Sequence, residues 1–292
     1  MSAGVLFDAP GPRTVARHRL YSIIGSVVLA VVVALALWRL YDRGQFEYDK
    51  WEPFLTPRYV TALLVDGLLT TLQMAFSAVI GAVVLGVVLG VGKLSDHAFI
   101  RWPSWAVVEF FRAVPVLLLM IFIFFAYGID RGDSGAYWSV VIALVLYNGS
   151  VLAEVFRAGI LAVPKGQAEA AYAIGMRKTQ VTNIVLLPQA VKIMIPAIIS
   201  QCVVALKDTS LGYAVAAPGL TKVGQAIYQQ FGNQVPTVIV LAALYIAANV
   251  VLTMIANRVQ KRFVGERSPL DTTRVGNMQG GENTGGGAGG LV

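Results

Sequence analysis

Six long apolar stretches dominate this 292-residue chain and restrict the structures that it can form. About 20 apolar residues in an α-helix cross the hydrocarbon core of a bilayer, and each stretch reaches that length. With 57% hydrophobic and 13% charged residues, the chain has too little polar surface for a soluble fold of this size. We therefore predict an all-α polytopic membrane protein with about six transmembrane helices. They fall near 21–40, 63–92, 104–128, 136–158, 194–216 and 235–257.

The distribution of Lys and Arg predicts which side of the membrane each loop occupies. Basic residues near helix ends are retained in the cytoplasm, so the more basic side is the inside. If the amino terminus is inside, two of the 23 basic residues, Arg112 and Lys207, fall within spans and only six lie outside. We predict a multi-pass protein of the cell (inner or plasma) membrane with both termini cytoplasmic. The six outside residues are Arg39, Arg43, Lys50, Arg58, Arg131 and Lys222.

Residues able to perform chemistry are scarce. The single cysteine, Cys202, cannot form an intramolecular disulfide, and His18 and His97 alone supply no metal-ligand grouping. No Gly-rich phosphate-binding motif ending in Lys and Ser or Thr is present, and the spans contain no Gly-flanked Ser nucleophile. We expect a chain that is not an enzyme, binds no metal and binds no nucleic acid. An ATP-independent secondary carrier or a channel stays open as an alternative function.

The longest predicted cytoplasmic connection, about 157–192, carries strong helix signals. Pro164 suits the first turn of a helix, the Ala-rich residues 167–174 have high helix propensity, and Gly175 suits the position after a helix end. We predict a short helix lying across the cytoplasmic face. A second helical piece at 179–187 should end before the next proline and lead back to the membrane.

Seven positions of this loop follow a fixed pattern over twenty residues. They are Glu169, Ala170, Ala171, Gly175, Val185, Leu187 and Pro188. The pattern resembles the EAA loop of binding-protein-dependent ABC importer permeases, in which Ile stands at the position of Val185. The resemblance implies the transmembrane fold of the type I ABC importers.

In that family the short helix docks in a cleft of the cytoplasmic ATPase and transmits its closure on ATP. The resemblance implies that Ala170 and Ala171 allow close approach, while Glu169 offers a charged contact or a capping interaction. Gly175 lets the chain turn sharply. The predicted ATPase-coupling set comprises Lys165, Gly166, Glu169, Ala170, Ala171 and Gly175.

The resemblance also implies the rest of the assembly. The partners are two ABC ATPase subunits, a second permease subunit that is homologous or identical, and an extracytoplasmic amino-acid-binding protein. No cofactor is then bound by this chain, because ATP and Mg belong to the partner ATPase.

Other segments extend the resemblance from about residue 63 to residue 261 and narrow its substrate class. The segments 67–72, 111–115, 153–160 and 206–211 are together similar to the histidine, glutamine and glutamate permease subfamily. The segments 6–13 and 44–47 further resemble actinobacterial glutamate permeases, which makes glutamate the expected substrate.

These observations divide the chain into three parts. Residues 1–62 hold the cytoplasmic amino terminus, an extra transmembrane helix and an external loop. Residues 63–260 form the ABC importer transmembrane domain, with its coupling loop at about 157–192. Residues 261–292 form a cytoplasmic tail that is largely disordered. Many relatives have only five spans, so we expect the extra helix to be peripheral.

The fifth predicted span carries a polar face. The midpoint of 194–216 puts Lys207 and Asp208 close to the bilayer centre, where a lipid-exposed charge costs about 2.5 to 3.5 kcal/mol. We expect them to face a protein interface or a water-filled cavity. Gln201 lies seven residues before Asp208 on one helical stripe. The predicted substrate pathway comprises Gln201, Lys207, Asp208, Thr209 and Ser210.

Two interpretations of these charges remain open. Lys207 would offer a cation to a substrate carboxylate, and Asp208 would orient the lysine or meet an α-ammonium group. Alternatively, the two form a structural pair, or pair with other helices, and only close a subunit interface. Glu154 and Arg157, three residues apart, are predicted to form a local ion pair rather than to contact substrate.

Overall fold

A computed structural model describes residues 12–264, and the secondary-structure elements of that part are all helical. The all-α prediction is confirmed. Of the tail predicted at 261–292, residues 261–264 continue α12, and the rest lies outside the described residues, as do positions 6–11 of the amino-terminal motif. The α-helices are α1 (Pro12–Asp42), α2 (Tyr48–Trp51), α3 (Pro57–Thr61), α4 (Thr70–Lys93), α5 (Ala98–Ala113), α6 (Val116–Ile123), α7 (Gly132–Leu161), α8 (Lys165–Ala173), α9 (Lys178–Gln180), α10 (Leu187–Asp208), α11 (Leu220–Phe231) and α12 (Gln234–Val264).

Short 3₁₀ and π-helical turns join several of these helices into longer runs. Within residues 12–264, five runs are long and apolar enough to cross a membrane. The most apolar windows of α1 and α12 contain no residue buried inside the chain, so their side chains are available to lipid. The runs are Arg13–Asp42, Pro57–Lys93, Val116–Leu161, Lys178–Val215 and Gln234–Arg262.

The third run differs from the sequence prediction. The predicted span at 104–128 is interrupted at Val114 and Pro115, where α5 ends and α6 begins. Pro115 lacks an amide hydrogen and its ring excludes the preceding residue from helical geometry, so the helix restarts after it. The run Val116–Leu161 then contains 46 residues, with Gly132 at a φ of 57° inside it. Gly132 has a ψ of −140° and so breaks the helix between the 3₁₀ turn Ile129–Arg131 and α7. The run is therefore two helical segments joined at Gly132, one holding the end of the predicted span 104–128 and the other holding the predicted span 136–158.

The fourth run joins two segments that were predicted to be separate. Helix begins at Lys178, passes through a π-helical segment at Val181–Leu186 and continues into α10. Pro188 lies just after the π-helical segment, at a point where the regular α-helical hydrogen-bond pattern is already interrupted. The α-helix ends at Asp208, a 3₁₀ segment covers Thr209–Val215, and the run stops before Ala216 at a φ of 50°.

The described residues form two compact units. The first contains the described part of Met1–Ile80 together with Val114–Val145 and Ala205–Ala248. In its core Leu63, Leu220 and Ile227 are buried together. Helix α11 packs against the π-helical segment Ala62–Leu69. The contact is fixed by Thr71, whose hydroxyl accepts a hydrogen bond from the amide of Leu220 at 2.9 Å.

The second unit contains Gly81–Ala113, Leu146–Val204 and the described part of Asn249–Val292. Its core joins α4, α7 and α10 through five buried side chains, and Val163 from the connection after α7 adds a sixth. Gly90 of α4 lies so close to α7 that a Cβ atom there would come within 3.0 Å of the carbonyl oxygen of Ala153. The core residues are Ala82, Leu152, Phe156, Val163, Ala190 and Met194. This unit carries the coupling loop and a cluster of charged side chains.

Candidate functional site

The coupling loop folds as predicted around α8 and Gly175. Pro164 precedes the helix, which ends with two backbone hydrogen bonds that reach back from the turn. The amide of Gly175 donates to Tyr172 at 2.9 Å, and the amide of Met176 donates to Ala171 at 3.2 Å. These are the two bonds of a Schellman motif, which requires a left-handed residue after the helix. Gly175 supplies it with a φ of 80°.

The predicted coupling residues are not equivalent in exposure. Ala171 is 5% exposed and packs inside the chain, so its small side chain seats α8 on its own unit. Glu169 and Ala170 are exposed on the helix, and Gly175 is exposed in the turn. Lys165 and Gly166, at the start of α8, are exposed as well. An outward surface is therefore formed by five of the six predicted residues.

Two exposed apolar residues of this surface were missed by the sequence analysis. Tyr172 is 48% exposed and Ile174 is 79% exposed, both at the carboxyl end of α8. Exposed apolar side chains that lie close together favour a contact surface, and these two are only two residues apart. The sequence contained a signal for both residues, because Tyr172 lies three residues after Glu169 and Ile174 lies four after Ala170. Residues at these spacings lie on the same side of a helix, here the exposed side.

The loop beside α8 is held by several polar contacts. Gln189 donates to the carbonyl of Val185 at 2.9 Å and lies 3.5 Å from the side chain of Gln167. Lys178 forms an ion pair with Asp96 of the connection between α4 and α5. The hydrogen bond from the Lys178 ammonium group lowers the pKa of the Asp96 carboxyl group. Helix α8 itself packs against the π-helical segment Val181–Leu186 of the second unit.

The predicted substrate-pathway residues fall at the end of α10 and do not all meet. Lys207 is exposed and Asp208 is half-buried, and neither forms an ion pair with any residue in 12–264. The structural Lys207–Asp208 pair considered above is therefore absent from the described structure. Consecutive residues point about 100° apart around a helix, which separates their side chains.

Hydroxyl groups complete the end of α10. Thr209 donates to the carbonyl of Leu206 at 2.6 Å, and Ser210 donates to the carbonyl of Lys207 at 2.8 Å. These bonds satisfy carbonyl groups that lose their partners where the α-helix ends. The donor hydrogens of both hydroxyls are thus used locally. Thr209 is also buried and hydrogen-bonded to the side chain of Tyr245, whereas Ser210 is half-buried.

Gln201 belongs to the second unit, whereas the other four pathway residues belong to the first. Its side-chain amide donates to the side-chain carbonyl of Asn148 on α7. Asn148 is buried, and the sequence analysis did not select it. A lone Asn in the apolar stretch of 136–158 was the available signal, because buried polar groups require partners.

A network of ion pairs surrounds Lys93 at the end of α4. The Lys93 side chain is only 6% exposed and contacts Glu109 of α5 at 3.3 Å and Glu154 of α7. Arg157 donates to Glu154 at 2.9 Å, which confirms the predicted local pair. Arg112 lies 3.5 Å from Glu109. Lys93 joins the two pairs, and no local spacing in the sequence predicted this role.

The network lines a cavity of about 570 Å³ in the second unit. Arg101, Trp102 and Trp105 complete its wall. Arg101 donates to the backbone carbonyls of Ser95 at 3.2 Å and Asp96 at 3.5 Å. No ion pair of Arg101 occurs among the residues that the structure describes.

The class of protein follows from comparison of the whole chain with known families. Residues 64–265 match the family model described as "binding-protein-dependent transport system inner membrane component". The match covers more than half of the chain, and the chain therefore belongs to this family. It is a multi-pass membrane component of a transport system, as the EAA-like loop indicated.

Individual relatives agree with this assignment. The glutamate transport system permease protein GluD of Corynebacterium glutamicum is 41% identical over 232 residues, which cover 78% of this chain and 85% of that protein. The probable glutamine ABC transporter permease protein GlnP of Bacillus subtilis (strain 168) is 33% identical over 207 residues, 69% of this chain and 94% of the relative.

Solved structures match the fold. A structure described as an amino acid ABC transporter with histidines superposes with a TM-score of 0.64 and 28% identity, covering 72% of this chain and 98% of the other. A methionine ABC transporter, MetNI, in an inward-facing conformation matches with a TM-score of 0.60 at 24% identity. The importer fold implied by the loop is confirmed.

Proposed function

We propose that this chain is the permease subunit of an ATP-driven importer of a polar amino acid, with glutamate as substrate. The assignment of glutamate as the substrate rests on the 41% identity to a glutamate transport system permease over 85% of that relative. The 33% identity to a probable glutamine permease also favours a polar amino acid as the substrate. The chain supplies the membrane pathway, while ATP hydrolysis resides in a partner subunit.

Coupling to that partner is proposed to pass through the exposed surface of α8. Glu169 and Ala170 point away from the chain, and Tyr172 and Ile174 add apolar area beside them. One charged, one small and two large apolar side chains thus lie within two helical turns, and such a mixture is typical of protein interfaces. Gly175 and its Schellman turn set the direction in which the chain leaves the contact.

The substrate pathway is proposed to include the end of α10. Lys207 and Asp208 have no ion-pair partner among residues 12–264, and charges exposed to lipid are costly. They therefore remain available to a zwitterionic solute or to another subunit. Thr209 and Ser210 follow them, and Gln201 with its partner Asn148 supplies amide groups further along the helix.

The assembly is proposed to contain two ATPase subunits, a second permease that is identical or homologous, and an extracytoplasmic binding protein. Both termini and the loop containing α8 lie in the cytoplasm in this proposal, since basic residues concentrate on that side.

The decisive experiment purifies the chain with its ATPase in mild detergent, reconstitutes it with the binding protein, and measures ATP hydrolysis for each polar amino acid. We expect glutamate to stimulate hydrolysis most and uptake to require ATP. Uptake that continues without an ATPase would instead establish the ATP-independent carrier or channel.

Two substitutions test the pathway in the same preparation. Lys207→Met and Asp208→Asn should raise the glutamate concentration needed for half-maximal transport while leaving the complex assembled. Lys192→Met is the matched control, because Lys192 is an exposed lysine of the same helix. Unchanged glutamate dependence in both variants would remove these residues from the pathway.

A further inference from the structure

The cavity around Lys93 carries an excess of positive charge that its own ion pairs do not neutralise. Four cationic side chains and two carboxylates line it. The carboxylates are Glu109 and Glu154, and both already contact Lys93. The cationic side chains are Lys93, Arg101, Arg112 and Arg157.

The three arginines differ in how far they are committed to these carboxylates. Arg157 is held by Glu154 at 2.9 Å, and Arg112 lies beside Glu109 at 3.5 Å. Arg101 uses one end of its guanidinium group on backbone carbonyls and has no carboxylate partner within 12–264. A guanidinium group has five N–H donors, so the three arginines together have N–H donors that these contacts do not use. All three side chains line the cavity.

The surroundings of the cavity indicate where its ligand comes from. Trp102 is 64% exposed and Trp105 is 49% exposed, and their rings contact edge to face. Exposed tryptophan concentrates at the boundary between hydrocarbon and headgroups in membrane proteins. Phe99 and Phe110 of the same helix are also exposed, so α5 presents apolar side chains beside the charged cavity. A cationic cavity next to such a surface matches a molecule with an anionic head and apolar chains.

We propose that this cavity binds a phosphate group, supplied by the headgroup of an anionic phospholipid, with Arg101 and Arg112 as its main donors. Arginine donors bind phosphate oxygens in pairs, and basic cavities between transmembrane helices are suited to lipid headgroups. The acyl chains then lie along the exposed apolar residues of α5. Lys93 and Glu154 form the floor and orient Arg157. The site does not depend on the transported substrate.

The test uses the purified transporter complex and native mass spectrometry with phosphatidylglycerol or phosphatidylcholine of identical acyl chains. We expect preferential retention of phosphatidylglycerol. Each lost surface cation weakens binding of an anionic lipid about fivefold. Arg101→Gln should therefore weaken retention by about that factor, and the double variant Arg101→Gln with Arg112→Gln should weaken it further.

Arg43→Gln is the matched control, since it removes the same charge at an exposed position outside the cavity and should change nothing. Adding inorganic phosphate distinguishes a phosphate group that comes from a lipid headgroup from one that comes from solution. A phosphate adduct that disappears in Arg101→Gln, with no preference between the lipids, would support a phosphate site filled from solution. Equal retention of both lipids without a phosphate adduct, or wild-type preference in both arginine variants, would overturn the proposal.

Discussion

Gly175 adopts a φ of 80°, a backbone conformation that residues branched at Cβ rarely adopt. Its Cβ position is open, with no atom within 4 Å, so substitution there is limited by backbone conformation rather than by space. Asn tolerates left-handed geometry far better than Val does. The position therefore separates the effect of the turn from the effect of side-chain volume.

Gly175→Val is expected to strain the turn by about 1 to 3 kcal/mol and to uncouple transport from ATP hydrolysis. Gly175→Asn should retain most of the coupling. The ratio of amino acid transported to ATP hydrolysed in reconstituted vesicles measures this. Equal ratios in wild type and Gly175→Val would show that the turn does not transmit the motion.

Lys93 is the residue whose removal should most affect stability among the charged groups of the cavity. Its side chain is nearly buried, so Lys93→Met leaves Glu154 and Glu109 without a shared cation. We expect a loss of about 1 to 3 kcal/mol in the free energy of unfolding. Lys178→Met is the control, because its ion pair with Asp96 is exposed and should contribute little. Thermal unfolding of the purified protein compares the two; a smaller shift for Lys93→Met would contradict the assignment.

Local spacing made some of these residues predictable and left others hidden. Gly175 follows an Ala-rich helix, and Glu154 and Arg157 are three apart, so both features were visible in sequence. Lys93 meets Glu154 across 61 positions, and Gln201 meets Asn148 across 53. Such pairs require the packing of three helices to be known first, which a single sequence does not give.

At the scale of elements, the buried and exposed sides of α8 differ in whether they tolerate a larger side chain. Ala171 is buried against the chain while its neighbour Ala170 is exposed. Ala171→Leu should therefore overpack the seat of α8, at a cost of about 1 to 3 kcal/mol. Ala170→Leu should leave stability unchanged and weaken binding of the ATPase.

Thermal unfolding and co-purification of the ATPase measure these two effects separately. The expected pattern is reciprocal, with Ala171→Leu lowering the unfolding temperature and Ala170→Leu lowering the amount of ATPase recovered. Identical behaviour of the two variants would mean that α8 does not present its sides as described.

Helix boundaries were predicted less well than the helices themselves. Six membrane spans were predicted, and each of the five membrane-length runs within residues 12–264 contains at least part of one, because length and hydropathy suffice to locate them. The count differs because the run Val116–Leu161 holds the end of the predicted span 104–128 and all of 136–158. The break at Pro115 and the continuous run from Lys178 were missed. Pro115 interrupts the helix, whereas Pro188 is accommodated just after a π-helical segment in a continuous run, and the local sequence does not show which of the two outcomes a proline will have.

At the scale of the whole molecule, the distribution of basic residues predicts the orientation of every loop. After Cys202→Ser, a cysteine placed at Gln167 should be protected from a membrane-impermeant thiol reagent in intact cells. A cysteine placed at Gln45, in the segment after α1, should react. Labelling at Gln167 from outside would reverse the orientation and with it the coupling proposal.

In the proposed coupling, a push on α8 would first reach the helical run that begins at Lys178, because α8 packs against the π-helical segment Val181–Leu186 near the start of that run. Within the second unit the run continues to Val204. The π-helical segment and Pro196 are the places in it where bending would absorb part of the movement.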